Sequence, residues 1–208
     1  MKSPILTLLF LSLILGANAQ KSNDQKSAPQ ATGANAQSDM SAQQQAAMKA
    51  WIDYMTPGTQ QQMLAKGAGD WNAEVTQWMD PSQPPVKTQG KVHNEMILGG
   101  RYLSTHYTGN MMGQPFEGIG TLAYDNGMKM YYSTWVDNMG TGISYMQGTP
   151  GTDGKSIEFK GSEYDPALGK PSLMREVQTF VDDNHQKMEF YQVMNGKEVK
   201  MMEMNLSR

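Results

Sequence analysis

The chain has three arginines, Arg101, Arg175 and Arg208. One of them stands where an arginine needs a partner. Arg175 falls mid-run in Leu173-Met174-Arg175-Glu176-Val177. In an extended strand Leu173, Arg175 and Val177 share a face. A guanidinium on an apolar face requires an anion, supplied either by the protein or by a ligand carboxylate. A salt bridge to a neighbour of Glu176 or to Asp137 fits the sequence as well as a ligand does. Tyr131, Trp135, Tyr145 and Tyr191 lie in nearby strand-like runs and offer apolar walls with polar tips. The candidate ligand site is therefore Arg175, with Trp135, Tyr131 and Tyr145 along the apolar portion. Arg101, just after Gly99-Gly100, is expected near a rim.

Other chemistries find less support. The three histidines, His93, His106 and His185, form no H-x-H or H-E-x-x-H pattern, so no metal site is expected. Haem would need only one axial histidine in a dry pocket, and no motif selects one of the three. Cysteine is absent and there is no G-x-S-x-G turn, which removes the usual nucleophiles. Glu95, Asp137 and Glu176 are carboxylates that a fold could pair, but they lie on separate strands. The 19 methionines cluster at Met111-Met112, Met128-Lys129-Met130 and Met201-Met202-Glu203-Met204. Thioether clusters can hold Cu(I), but flexible apolar filling of a core or pocket wall is the simpler reading. No cofactor is expected.

The elements that must position these residues are strands. From Gly69 to Arg208 the chain divides into about ten, near 70–79, 87–98, 101–110, 115–125, 128–137, 141–149, 155–164, 172–182, 186–194 and 197–207. Asp80-Pro81-Ser82-Gln83-Pro84-Pro85 cannot continue a ladder. Gly99-Gly100, Asp125-Asn126-Gly127, Asp153-Gly154, Asp182-Asp183-Asn184 and Asn195-Gly196 are hairpin signals. Short joins imply up-and-down antiparallel order, because parallel pairing needs long crossovers. Several strands mix polar and apolar residues on both faces, which suits a barrel with a partly polar lumen better than a solid sandwich. The expected fold is all-β: an up-and-down antiparallel barrel of about ten strands, first paired with last, preceded by one or two short helices.

Ahead of the barrel, Met48, Trp51, Ile52 and Met55 recur at helical spacing. Thr56-Pro57 reads as an N-cap and first helical position for a second helix carrying Met63 and Leu64. Two such helices are expected to lie across one end of the barrel. Residues 20–40 are poor in apolar residues and read as a disordered linker. Residues 1–19 combine Lys2, an apolar run from Ile5 to Leu15 and the Ala17-Asn18-Ala19 exit of a secretory signal peptide. The domain expectation is thus 1–19 signal peptide, 20–40 linker, 41–67 helices and 68–208 barrel. Loss of Lys2 takes the net charge from −3 to −4, and no basic stripe suggests nucleic acid.

Several motifs occur together in order: Thr56-Pro57-Gly58 with Leu64, Gly69-Asp70-Trp71, Ile97-Leu98-Gly99-Gly100-Arg101-Tyr102-Leu103, Phe116-Glu117-Gly118-Ile119-Gly120, Tyr124-Asp125 and Trp135-Val136-Asp137. On these the chain resembles the bacterial domain-of-unknown-function family 1579 from Pro57 to the end. The resemblance implies a lipocalin-like, calycin-type barrel and no established activity. Members often carry a histidine where this chain has Gln61 or Gln62, so any role of that histidine does not carry over. The expected function is a periplasmic or secreted, non-catalytic binder of a small hydrophobic or amphipathic molecule, with no membrane span in the mature chain. A haem-binding barrel similar to nitrobindin, or a lipocalin-fold enzyme, is the alternative.

Overall fold

In the computed structural model, the described residues are 41–79, 83–194 and 196–208. The expected signal peptide and linker, and Asn195 of the last turn, lie outside them. Ten antiparallel strands follow in chain order: β1 (Gly69–Gln77), β2 (Val86–Ile97), β3 (Tyr102–Met111), β4 (Gln114–Asp125), β5 (Met130–Asp137), β6 (Ser144–Pro150), β7 (Ser156–Asp165), β8 (Lys170–Asp182), β9 (His185–Met194) and β10 (Lys197–Ser207). Each pairs with its successor, and β1 pairs with β10 to close the barrel. The closing register sets Ala73 opposite Leu206 and Val75 opposite Met204.

Alternation divides every strand between lumen and exterior. Trp71, Ala73 and Val75 of β1 point in, as do Leu206 of β10 and Val92 of β2. Large inward rings sit over glycines of the neighbouring strand. A Cβ on Gly118 would lie 2.0 Å from the Trp135 ring, and one on Gly148 would lie 2.5 Å from Phe159. Gly148 pairs directly with Phe159 and Gly118 lies diagonal to Trp135, and two bulky residues could not both point inward at either place. The glycines make room for the aromatics, and the rings fill the space that the glycines leave.

One end of the barrel is plugged. Helix α1 (Ala42–Met55) precedes α2 (Thr59–Ala65), and Leu64 of α2 is fully buried against Leu103, Leu122, Tyr131, Ile157 and Phe159. Only α2 plugs. No residue of α1 is buried, and Trp51, Ile52 and Met55 are exposed. Its C-terminus is tied to the β2–β3 and β4–β5 turns through Arg101 to the Met55 carbonyl (2.9 Å) and Asn126 to the Tyr54 and Thr56 carbonyls (3.0 and 2.8 Å). Thr56 is not an N-cap. Its hydroxyl donates back to the Ile52 carbonyl at 2.6 Å, ending α1, and Pro57 holds the chain extended. Gly58 is the cap instead, its N–H donating to the Gln61 side chain at 2.8 Å.

The end of β10 locks the same end. The Trp71 indole N–H donates to the Gly67 carbonyl (2.9 Å), which also accepts from the Asn94 amide (2.9 Å). Arg208 lies over the Trp71 ring, 4.1 Å from its centroid. Its guanidinium donates to the carbonyls of Ala68 (2.6 Å) and Asp183 (2.8 Å). Trp71 thus seals the plugged end under an arginine rather than directly under the helices.

Candidate functional site

Above the plug the lumen is not filled. A cavity of about 370 Å³ runs toward the end formed by the β3–β4, β5–β6 and β7–β8 loops. The volume lies in the lower part of the range for small-molecule sites, ~300–1,000 Å³. Its wall is strongly apolar. Met146, Met174, Met188, Met202 and Met204 contribute flexible thioethers. Tyr107, Phe116 and Trp135 form an aromatic row, with ring centroids 5.7 and 6.5 Å apart. The Trp135 indole N–H donates to Asp137 at 3.0 Å, which fixes the ring plane against Gly118.

Into this wall β8 projects a carboxyl. Glu176 is 4% exposed and forms no hydrogen bond among the described residues. Burial, and then the nearby Glu163, push its carboxyl up to about 8. Next to it on the same face, Gln178 is 3% exposed and its carbonyl oxygen has no partner. Toward the plug the Asn94 oxygen is also buried and unpartnered, its amide nitrogen being committed to Gly67. Glu163 and Asp137 are the other acids of the wall, and none of its residues is Lys, Arg or His.

Of the residues expected at the site, Trp135 alone lines the cavity. Tyr131 points inward but lies in the plug. It is fully buried beside Tyr124, its hydroxyl donates to Gln60, and burial followed by Tyr124 pushes its phenol up to about 12. Tyr145 is on the outer face, stacked on Tyr132. Arg101 is at the plugged end, away from the cavity opening. Arg175 is also outside. Its guanidinium donates twice to Glu198, at 2.7 Å each, stands 3.6 Å from Glu158 and lies 4.1 Å from the Tyr191 centroid. The anion it required is a protein carboxylate. The structure therefore does not gather the five residues into one site, and Glu176 and Gln178 take the inward places on β8.

The alternatives fare as follows. His93, His106 and His185 are all exposed and paired with Asp70, Glu117 and Asp182 at 2.6, 2.7 and 2.9 Å. None reaches the lumen to serve as an axial ligand. Among the described residues no group of three or more His, Cys, Asp or Glu could hold a metal ion. Of the three carboxylates that a fold could have paired, Glu95 is exposed, and Asp137 is bonded to Trp135. A second hollow, beneath the α1–α2 link, has polar walls bonded to one another through Gln61, Tyr124 and Asn126. Among the described residues no helix is long and apolar enough to cross a membrane.

Solved structures that share the fold include Rv2717c and the lyase CPES. Rv2717c from M. tuberculosis is 16% identical with a TM-score of 0.55, covering 74% of this chain and 99% of its own. The S-type phycobiliprotein lyase CPES from Guillardia theta is 9% identical with a TM-score of 0.53, covering 76% of this chain and 95% of its own. At these identities the likeness concerns the barrel alone. No curated protein matches the chain in sequence. Residues 56–208, from the α1–α2 link through the whole barrel, match the profile of a single family, and the chain belongs to it: the proteins of unknown function DUF1579.

Proposed function

We propose that this protein binds a small hydrophobic or amphipathic molecule in the barrel lumen and carries out no covalent chemistry on it. The observation that carries the reading is the unfilled cavity of about 370 Å³, walled by methionine and aromatic side chains. A barrel that served only as a scaffold would gain by filling that space, because voids forgo packing contacts. Methionine walls adapt to ligand shape, and the Tyr107–Phe116–Trp135 row offers faces for stacking. The signal-peptide pattern of residues 1–19 supports action in the periplasm or outside the cell.

Native mass spectrometry of the purified protein tests the reading. A retained small molecule, released on unfolding, is expected. In parallel, an uncharged naphthalene probe should enter the lumen with energy transfer from tryptophan, and Trp135→Ala should reduce its affinity. A probe that fails to bind, or that binds equally to wild type and Trp135→Ala, would count against the lumen as the site.

A further inference from the structure

Three buried side chains of the lumen carry polar atoms without protein partners. Glu176 forms no hydrogen bond among the described residues, the Gln178 carbonyl oxygen and the Asn94 oxygen have no donor, and all three residues line one cavity. Buried polar groups are ordinarily satisfied, so three orphans facing one space call for an occupant that supplies donors. The charge balance points the same way. Glu163, Glu176 and Asp137 face the cavity, and none of its lining residues is cationic. The arginine expected to receive a ligand carboxylate is outside and bound to Glu198. A lipophilic acid would place its carboxylate among carboxylates, with no cation to meet it.

We infer that the ligand of this lumen is a lipophilic amine, whose ammonium group is held by Glu176 and whose apolar body rests on the methionine and aromatic wall. This rests on the lumen being the binding site. An ammonium offers donors and no acceptor, the complement of a carboxylate beside the orphaned Gln178 oxygen. The Phe116 and Trp135 rings line the same space, and aromatic rings attract a cation. Burial pushes the Glu176 carboxyl up in the empty lumen, and it pairs with the ammonium as a carboxylate, any proton it carried passing to solvent.

The test uses three ligands of equal chain length, decylammonium, decanol and decanoate. Each competes at pH 7.5 with N-phenyl-1-naphthylamine bound to the wild-type protein. Decylammonium should displace the probe roughly tenfold to a hundredfold better than either of the others, the range set by a charge-assisted hydrogen bond. Glu176→Gln should bring it to the level of decanol. Glu176→Met, which also fits an apolar wall, serves if the glutamine variant does not fold. The wild-type ranking stands without any variant. If decylammonium is no better than decanol, or if its advantage survives in the folded variants, the amine assignment falls while the lumen site remains. If the probe itself does not bind, the lumen reading falls and takes the amine with it.

Discussion

Raising the pH should weaken this fold through one side chain. Glu176 has its carboxyl pushed from the usual 4.5 up to about 8 by burial and by Glu163. The unfolded chain releases that proton near 4.5, so between those values the folded state holds a proton that the unfolded state has lost. The stability supplied by the neutral carboxyl is complete below about pH 4.5 and is lost as the pH rises through 8. At 1.36 kcal/mol per pH unit the whole interval bounds the effect near ~5 kcal/mol. Water entering the open cavity screens it, and about 2–3 kcal/mol is the working figure. The assay is urea unfolding, followed by far-ultraviolet circular dichroism, of wild type and Glu176→Gln at pH 5.5 and pH 8.5. Glutamine keeps the shape and is always neutral. Subtracting the two proteins removes the contribution of titrating groups that do not interact with Glu176. The variant should exceed wild type by about 1.4 kcal/mol at pH 5.5, one unit above the unfolded value, and by about 2–3 kcal/mol at pH 8.5. A difference that stays constant with pH, or that shifts in favour of wild type as pH rises, would refute the reasoning.

Trp71→Ala should cost about 3–5 kcal/mol in the same unfolding assay, since it empties the sealed end of the barrel. Arg208→Ala should cost about 1–2 kcal/mol, through the lost ring contact and two carbonyl bonds. Gly118→Ala, whose methyl would strike the Trp135 ring, should change the near-ultraviolet circular dichroism and weaken the naphthalene probe more than tenfold, with far-ultraviolet signal retained. Arg175→Met should leave probe affinity unchanged and lower stability by about 1 kcal/mol, because its contacts with Glu198 and Tyr191 lie outside the lumen.

The strands were legible because each join carries its own chemistry. The three prolines from Asp80 to Pro85 interrupt any ladder, Gly99 and Gly100 take positive φ, and the joins are too short for crossovers. Which face of a strand points inward was harder to read. On β8 one face carries Leu173, Arg175, Val177 and Val181, and the other Met174, Glu176, Gln178 and Phe180. By hydrophobicity the first looks like the core, yet Leu173 is 62% exposed and Val181 43%. In a solid barrel the polar pair would have been driven outward. An unfilled lumen reverses that preference, and one sequence gives no measure of whether a lumen is filled. The signal that would have served is the neighbouring strand. Gly161 pairs with Met174, and Phe159 pairs with Glu176, so the register through the β7–β8 hairpin assigns the inward face of β8 once β7 is set by Ile157 and Phe159. Both helices form as expected, but the place of α1 could not be read for a related reason. Met48, Trp51, Ile52 and Met55 do form an apolar stripe, but periodicity says nothing about whether a surface is available to cover it.

Glu176 connects the stability of this barrel to its use. A methionine at that position would match the rest of the wall, and replacing a buried acid by an apolar group is commonly neutral or stabilising. A side chain that weakens the fold at neutral and alkaline pH points to a use outside the stability of the fold. Binding sites are where such local conflicts collect, because the group that is poorly satisfied in the empty protein is the one that a ligand satisfies. One variant therefore separates two quantities that would move together if Glu176 were merely a packing residue. Glu176→Gln should unfold at higher urea than wild type at pH 8.5 and, at pH 7.5, should lose its preference for decylammonium over decanol. Gain in one with loss in the other is the signature of a site. A variant that loses both stability and probe binding would mark Glu176 as part of the structural wall, and the ligand's polar anchor would then have to be sought at Glu163 or Asp137.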